Sequence, residues 1–415
     1  MILLLWPMFA FSQLSSKVDS IYKELLSTNQ VQNEFIGMGG DGMIDVYYEN
    51  LYARIDSVAT DEELLYLTDK GNSTIKSYMG ELLVNRKSKC LSSLFSKYIL
   101  DNKQIRIRAG CTGYETSFAG ELYSKIINQK NKIDEIEVYK NIYTTEELKQ
   151  NFLPLQTRWT KPEVDSLLSI LNKTALSNDA VLPVTLRHIF ALNEFRFDNH
   201  DRIRYFADKY PEMEILATLA SFQNKKDLPL LHQNIDRAFL AISKFPDNSF
   251  IAELEKRADR NYNNQQFIEA SASFCNKNSI RLLQLILAEF STESEKQKSF
   301  LADEGIGYLY KCLEKSNCPV NDRLLLDLWV EKRMISYSFF LKIKDSHYNE
   351  ILKGYLNPLP FDSGPINDTI DWEKYKPEWE AADGYLCPII LNYLKQNSAS
   401  NKDKSINLDN IQCKG

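Results

Sequence analysis

Histidine is scarce in this sequence, and the residue patterns of metal sites are missing. The chain has four histidines in 415 residues, against 22 tyrosines and 21 phenylalanines. Its seven cysteines form no C-x-x-C pair and no cysteine and histidine spacing that suits zinc. We therefore expect no metal and no other cofactor, and we expect aromatic packing to dominate the core.

An excess of positive charge is also missing. The sequence has 50 lysines and arginines against 56 aspartates and glutamates, with a formal net charge of -6. Proteins that bind nucleic acid neutralise its phosphates with a broad basic surface. The composition therefore predicts no nucleic-acid partner.

Three common catalytic signatures are absent: G-x-S-x-G, H-E-x-x-H and G-x-x-x-x-G-K-[ST]. A G-x-G-x-x-G motif is present at Gly37, Gly39 and Gly42. A dinucleotide-binding turn follows a buried strand within a βαβ unit, whereas helical patterns flank this one on both sides. We interpret it as a flexible link between two helices, and we predict no catalytic, cofactor-binding or metal-binding residues from the motifs.

Long apolar runs are limited to the N-terminus. The apolar residues from Ile2 to Phe11 and the small residues Ala10 and Ser12 are typical of a signal peptide over residues 1–12, cleaved before Gln13. A buried N-terminal helix is the alternative, but Pro7 would interrupt it. No run approaches the roughly 18 apolar residues that span a bilayer. We therefore expect a periplasmic or secreted protein with no stable membrane insertion.

Export would place the cysteines in an oxidising compartment. Cys312 and Cys318 are six residues apart and can bridge a helix end to the following turn. Unrelated buried thiols are the alternative, because separation along the chain does not establish the geometry of a disulfide.

Apolar residues recur with helical spacing along most of the chain. Capping boxes at Thr60 and Glu63, Thr144 and Glu147, and Thr160 and Glu163 predict helix starts, and Gly71 predicts a helix end. The segment "QIRIR" alternates like a strand, but it has no clear partner. We interpret it and the following "AGCTGYETSFAG" as a structured loop or extended connector, with helix resuming near Leu122.

Three segments after Pro211 match one another. "LATLASFQNKKDLPLL" aligns with "FLAISKFPDNSFIAEL" and, more weakly, with "IEASASFCNKNSIRLL". Each copy predicts a helix that ends at a phenylalanine, a polar turn and a second helix. Such units bury their apolar faces only by stacking on neighbours. We therefore expect Phe222, Phe245 and Phe274 to be largely buried; a globular bundle with coincidental similarity is the alternative.

These patterns resemble the HEAT-like repeat family, including its phycobilisome-lyase-type variant. "EELLYLTDKGNSTIKSYMGELLVNR" has that variant's first helix, asparagine-containing turn and second helix. The resemblance covers residues 44–330, departs from the family in its uneven repeat length, and implies an all-α solenoid of irregular helix hairpins. It implies an exported bacterial protein of unassigned activity and carries no catalytic residues.

The domain organisation follows from these patterns. We predict a signal peptide at 1–12, a helical repeat domain at 13–353, a proline- and aromatic-rich loop with a capping helix at 354–396, and a mobile polar tail at 397–415. In the third segment, aromatic side chains either hold the loop against the core, which we favour, or stack on sugar rings. These aromatic residues are Trp372, Tyr375, Trp379 and Tyr385.

Two histidine-containing segments are candidate sites. "FDNHDR" places Asp198, His200 and Asp201 together. Three donors in one loop do not easily surround a metal ion, so we favour a helix-capping role for this segment. His188 lies in an apolar helical segment, and we expect a hydrogen-bonded, partly buried histidine there.

The leading hypothesis is a non-enzymatic scaffold that binds a protein partner of unknown identity. The alternative is a helical enzyme that acts on carbohydrate or cell-wall material through carboxylates assembled by the fold.

Overall fold

The computed structural model describes residues 14–27, 46–101, 103–109, 112–140, 157–191, 198–297, 300–316, 318–332, 335–356 and 389–397. Helices account for 77% of these residues, which confirms the all-α prediction. No helix in these ranges is long and apolar enough to cross a membrane. Several predicted features lie outside the described residues: the signal peptide, the glycine link, the capping box at Thr144 and Glu147, and the four aromatic residues from Trp372 to Tyr385.

The chain divides into two compact units, Met1–Phe206 and Ala207–Gly415. The helices of the first unit are α1 Ser16–Ser27, α2 Val46–Val58, α3 Asp61–Lys70, α4 Ser73–Asn85, α5 Leu91–Asp101, α6 Phe118–Tyr139, α7 Lys161–Leu176, α8 Pro183–Ala191 and α9 His200–Lys209, the last of which ends in the second unit.

Local signals start and stop the first-unit helices as predicted. The Glu63 N–H donates to Thr60 Oγ1 at 3.2 Å, and the Thr60 N–H donates to Glu63 Oε2 at 2.8 Å, which completes the capping box of α3. The Gly71 N–H donates to the Leu67 carbonyl and ends that helix. The buried faces of α3 to α6 then pack against one another around Leu67, Phe95 and other apolar residues.

A β-hairpin corrects the prediction of a structured loop. Strand β1 (Gln104–Ala109) pairs with the antiparallel strand β2 (Thr112–Ser117), and Arg106 forms an ion pair with Glu115 at 3.2 Å. Ile105 and Ile107 are buried in β1, whereas β2 has no alternating apolar residues. The prediction was wrong because β2 is stabilised by pairing with β1, which its own sequence does not reveal.

The second unit is built from shorter helices. They are α10 Met213–Ala220, α11 Leu228–Gln233, α12 Phe239–Lys244, α13 Ile251–Glu255, α14 Ala258–Asn261, α15 Gln265–Ala272, α16 Ser279–Gln297, α17 Phe300–Lys315, α18 Pro319–Lys332, α19 Tyr337–Ile343 and α20 Tyr348–Leu356. Turns of 3-10 helix occur at Lys225–Asp227, Ile235–Arg237 and Asn248–Phe250. Residues 389–397 are helical, and the Tyr348 hydroxyl donates to the Leu394 carbonyl at 3.3 Å.

The helices of the second unit form two rows of sequential contacts. In one row α10 contacts α12, α12 contacts α15, and α15 contacts α17. In the other row α13 contacts α16, α16 contacts α18, and α18 contacts α20. The helices named in these rows thus contact the next helix of the same row along the chain.

The three matching segments share a hydrogen bond at the turn, and the first two also share a 3-10 turn. In each copy, a side-chain oxygen accepts the backbone N–H two residues further on: Asn224 from Lys226 at 3.1 Å, Asp247 from Ser249 at 3.0 Å, and Asn276 from Asn278 at 2.9 Å. The burial pattern has the same register, since the second-helix leucines at equivalent positions are all buried. These leucines are Leu231, Leu254 and Leu283.

Burial of the aligned phenylalanines differs between copies. Phe274 is buried with 1% exposure, as predicted, whereas Phe222 and Phe245 are half-buried. The prediction was therefore wrong for the first two. Phe274 is followed by a disulfide-bonded cysteine, whereas Gln223 follows Phe222 and Pro246 follows Phe245.

The disulfide joins Cys275 to Cys318, with a Cα to Cα distance of 5.6 Å. The bridge considered between Cys312 and Cys318 is therefore absent, and Cys312 is a free, half-buried thiol in α17. Cys275 follows α15 and Cys318 precedes α18, so helix packing brings together two cysteines that are 43 residues apart. Spacing along the chain could not reveal that approach.

Candidate functional site

His188 lies in a network of hydroxyl groups in the first unit. Its Nε2 is 2.8 Å from Thr116 Oγ1, and its Nδ1 is 2.9 Å from Ser124 Oγ. Burial lowers the pKa of His188, so the neutral imidazole is favoured. A Cβ at Gly120 would lie 2.8 Å from His188 Cδ2, so glycine allows α6 to approach the ring. This confirms a hydrogen-bonded, partly buried histidine that fastens α8 to β2 and α6.

A half-buried lysine pairs with two carboxylates near this network. Lys125 Nζ is 2.7 Å from Glu81 Oε2 and 3.0 Å from Glu121 Oε1. Burial opposes the charge on Lys125, but the two carboxylates outweigh it and raise its pKa. Because one ammonium holds both carboxylates, this cluster ties α4 to α6 and does not provide the free acid and base of a glycosidase.

The "FDNHDR" residues do not converge around a common point. His200 Nδ1 is 3.4 Å from Asp201 Oδ1, while Asp198 and Asp201 are exposed. The Asn199 side chain accepts the Arg202 N–H at 3.1 Å at the start of α9, which fits the capping interpretation. In the part of the chain that the structure describes, no group of three His, Cys, Asp or Glu residues can hold a metal ion.

The polar turns of the three repeated segments lie in sequence along the second unit. We call residues 224–226, 247–249 and 276–278 the turn edge. Asn276 Nδ2 donates to Asn248 Oδ1 at 2.9 Å and so joins the second turn to the third. Lys225, Asn248 and Lys277 occupy equivalent positions and are all exposed. The edge therefore repeats one exposed position and one side-chain to backbone hydrogen bond three times, with different side chains.

His232 joins the first repeated segment to the second. It lies on α11, and its Nε2 is 3.0 Å from the Ser249 hydroxyl on the turn edge. Its Nδ1 is 2.7 Å from Glu253 Oε1 on α13. The imidazole stacks on the buried ring of Phe250 with 4.2 Å between the ring centroids, which restricts its rotation.

Sequence reasoning missed these residues because no motif contains all three. Ser249 and Glu253 are four residues apart in a helical segment, a spacing that places two side chains on one face. The first aligned segment ends at Leu231, so His232 directly follows it. The alignment together with the four-residue spacing could have identified the cluster of His232, Ser249 and Glu253.

Comparison of the chain with family models, curated proteins and solved structures finds no match. The resemblance to HEAT-like repeats therefore rests on the residue patterns and stays a prediction.

Proposed function

We propose that the chain is an exported α-solenoid that serves as an interaction scaffold for a protein partner. The observation that carries this proposal is the double row of sequential helix contacts in the second unit. Arrays of this kind bind partners through extended surfaces formed by equivalent positions of successive repeats. The turn edge supplies such positions, because its three turns share one side-chain to backbone hydrogen bond and one exposure pattern.

The disulfide supports the exported location. Disulfides persist in oxidising compartments and are rare in reducing ones. The bond between Cys275 and Cys318 joins neighbouring parts of the helix array, where it is suited to a structural role.

The partner-binding role of the turn edge is tested by charge reversal. Lys225 and Lys277 are exposed, and we expect the double variant Lys225→Glu with Lys277→Glu to keep the melting temperature of the wild type. We expect affinity for a specific partner to fall by at least about tenfold, a difference of about 1.4 kcal/mol in binding free energy. A matched control is Lys173→Glu, which changes an exposed lysine on α7 in the first unit.

The measurement has two stages. Wild-type and variant proteins are used to capture partners from the cells that make the protein, and bound proteins are identified by mass spectrometry. The dissociation constant of each purified candidate is then measured by calorimetry. A partner that binds wild type and the Lys173 control equally, but binds the double variant more weakly, supports the proposal. Equal binding of all candidates to all three proteins would contradict it.

A further inference from the structure

We propose that Ser249, His232 and Glu253 form a catalytic triad that hydrolyses carboxylic esters. This inference goes beyond the scaffold role. It rests on the side-chain geometry between the first two repeated segments of the second unit.

The hydrogen bonds place the three groups in the order that nucleophilic catalysis needs. Glu253 is 2.7 Å from Nδ1 of His232, and Ser249 Oγ is 3.0 Å from Nε2 of the same ring. An ionised carboxylate only accepts hydrogen bonds, so Nδ1 of the neutral ring carries the proton. Nε2 therefore has the lone pair that accepts the Ser249 proton. This is the arrangement of a nucleophile, a general base and an orienting carboxylate.

The fold holds this arrangement from three sides. Phe250 stacks against the imidazole, and its side chain is fully buried. The Ser249 N–H donates to Asp247 Oδ1 at 3.0 Å, which fixes the backbone that carries the nucleophile. The Arg257 Nη1 donates to the Glu253 carbonyl at 3.1 Å, and its Nε donates to Asp236 at 2.7 Å. The triad is thus supported by the Phe250 ring, by Asp247 on the turn edge and by Arg257, which follows α13.

The nucleophile is accessible. Ser249 is exposed on the turn edge, whereas His232 and Glu253 are half-buried behind it. The neighbouring Asn248 accepts the Asn276 amide through its Oδ1, so its Nδ2 is the side-chain donor next to the nucleophile. An amide donor of this kind stabilises the oxyanion of an acyl-transfer intermediate. An ester that approaches from solvent would meet Ser249 first.

The reaction balances with water as the second substrate. Ser249 Oγ attacks the ester carbonyl carbon and gives its proton to Nε2 of His232. The C–O bond to the leaving group breaks, and the alcohol departs with the proton from Nε2, leaving an acyl-serine. Water then attacks this ester, Nε2 accepts one water proton and returns a proton to Ser249 Oγ, and the carboxylic acid is released.

Another serine and histidine pair in the same unit provides an internal control. Ser346 Oγ is 2.7 Å from His347 Nδ1, and Ser346 is exposed as Ser249 is. Neither a hydrogen bond nor an ion pair joins a carboxylate to His347 within the described residues. The two serines therefore differ in the orienting carboxylate but not in access to solvent.

The test uses the full chain and two reagents. A fluorophosphonate forms a covalent adduct with activated serines, and p-nitrophenyl acetate is an ester whose hydrolysis is measured directly. We expect the fluorophosphonate to form an adduct on Ser249, located by peptide mass spectrometry, at least ten times faster than on Ser346. We expect Ser249→Ala to abolish the adduct and to lower p-nitrophenyl acetate hydrolysis to the rate of the uncatalysed reaction. Ser346→Ala should leave both readouts unchanged.

Glu253→Gln separates positioning of the imidazole from a purely structural role. The glutamine keeps the side-chain length but removes the charge, so the imidazolium loses stabilisation. We expect adduct formation to slow at least tenfold, while circular dichroism and the melting temperature stay near those of the wild type. Equal labelling of Ser249 and Ser346, or an unchanged labelling rate in the folded Glu253→Gln protein, would overturn the proposal.

Discussion

Trp329 and Gly354 set the distance between α18 and α20. Trp329 is fully buried, and its Nε1 donates to the Ile351 carbonyl at 3.1 Å. A Cβ at Gly354 would lie 2.2 Å from Trp329 Nε1, closer than any van der Waals contact allows. The indole ring can lie across α20 only because position 354 has no side chain.

We therefore expect Gly354→Ala to lower the free energy of unfolding by about 1–3 kcal/mol through overpacking. Gly80→Ala is the matched control in another helix, since its Cβ would meet only Leu122 Cδ1 at 3.8 Å. Alanine is the better helix former, so the control should be neutral or gain up to about 1 kcal/mol. Urea unfolding followed by circular dichroism measures both. A stability loss of the same size in the two variants would show that close contact with Trp329 is not the cause.

The His188 network predicts a pH dependence of stability. Burial lowers the pKa of His188 below its ordinary value of 6.5. When the pH falls below 6.5, the unfolded chain therefore gains a proton at this site before the folded chain does. Protonation thus favours unfolding, and the loss of stability is complete once the pH is below the folded-state pKa.

We expect the free energy of unfolding to fall between pH 6.5 and the lower folded-state pKa, and His188→Gln to remove this part of the pH dependence. Glutamine retains hydrogen-bonding groups for Thr116 and Ser124, but its side-chain amide does not gain a proton in this pH range. Denaturant melts from pH 8 to about pH 5 provide the measurement. Parallel pH curves for the two proteins would count against a neutral, buried imidazole.

The second unit consists largely of short helices, and the phenylalanines at their ends differ in burial. We therefore expect these side chains to contribute unequally to the free energy of unfolding. Phe274 is buried with 1% exposure, whereas the equivalent Phe245 is half-buried. We expect Phe274→Ala to cost about 3–5 kcal/mol, because lost burial and a cavity add together. Phe245→Ala should cost about 1–2 kcal/mol, because part of its ring already contacts water.

Melting temperature and limited proteolysis distinguish the two phenylalanine variants. Cleavage within residues 276–278 should accelerate in Phe274→Ala, because loss of the ring loosens the adjoining turn. The Phe245 variant serves as its control, with the same substitution at an equivalent position. If the two variants melt at the same temperature, burial of the aligned phenylalanines does not determine the stability of the units.

The elements that could be predicted from the sequence are those with local causes. Thr60 and Glu63 are three residues apart, and Gly71 directly follows the helix that it ends, so both signals are present in a short window. The asparagine and aspartate turns of the repeated segments are equally local. Their prediction required only the identity of neighbouring residues.

The features that could not be predicted depend on contacts between distant segments. Strand β2 has no apolar alternation and acquires its conformation from β1. The Cys275 to Cys318 bridge spans 43 residues, and the contact between His232 and Glu253 spans 21 residues. Each depends on the relative position of two elements, which the periodicity of residues along one element does not reveal.

At the scale of the whole molecule, the disulfide joins two segments of the second unit that are distant along the chain. The bridge closes a loop with a sequence separation of 43 residues, and Cys312 remains reduced. Closing a loop of about this length lowers the entropy of the unfolded chain and adds about 4 kcal/mol to stability in the loop-entropy description. An exported protein gains this stabilisation after it leaves the reducing cytoplasm.

We expect the double variant Cys275→Ser with Cys318→Ser to lose about 4 kcal/mol of unfolding free energy. Reductant should destabilise the wild type by a similar amount and leave the double variant unaffected. Cys312→Ser, which removes a free half-buried thiol, is the matched control and should keep the response of the wild type to reductant.

Protein recovered from its own cells should begin at Gln13 and show the Cys275 to Cys318 linkage in a non-reduced peptide map. An intact Met1 form with both of these cysteines reduced would contradict export, because a chain that stays in the cytoplasm keeps its first residues and its thiols.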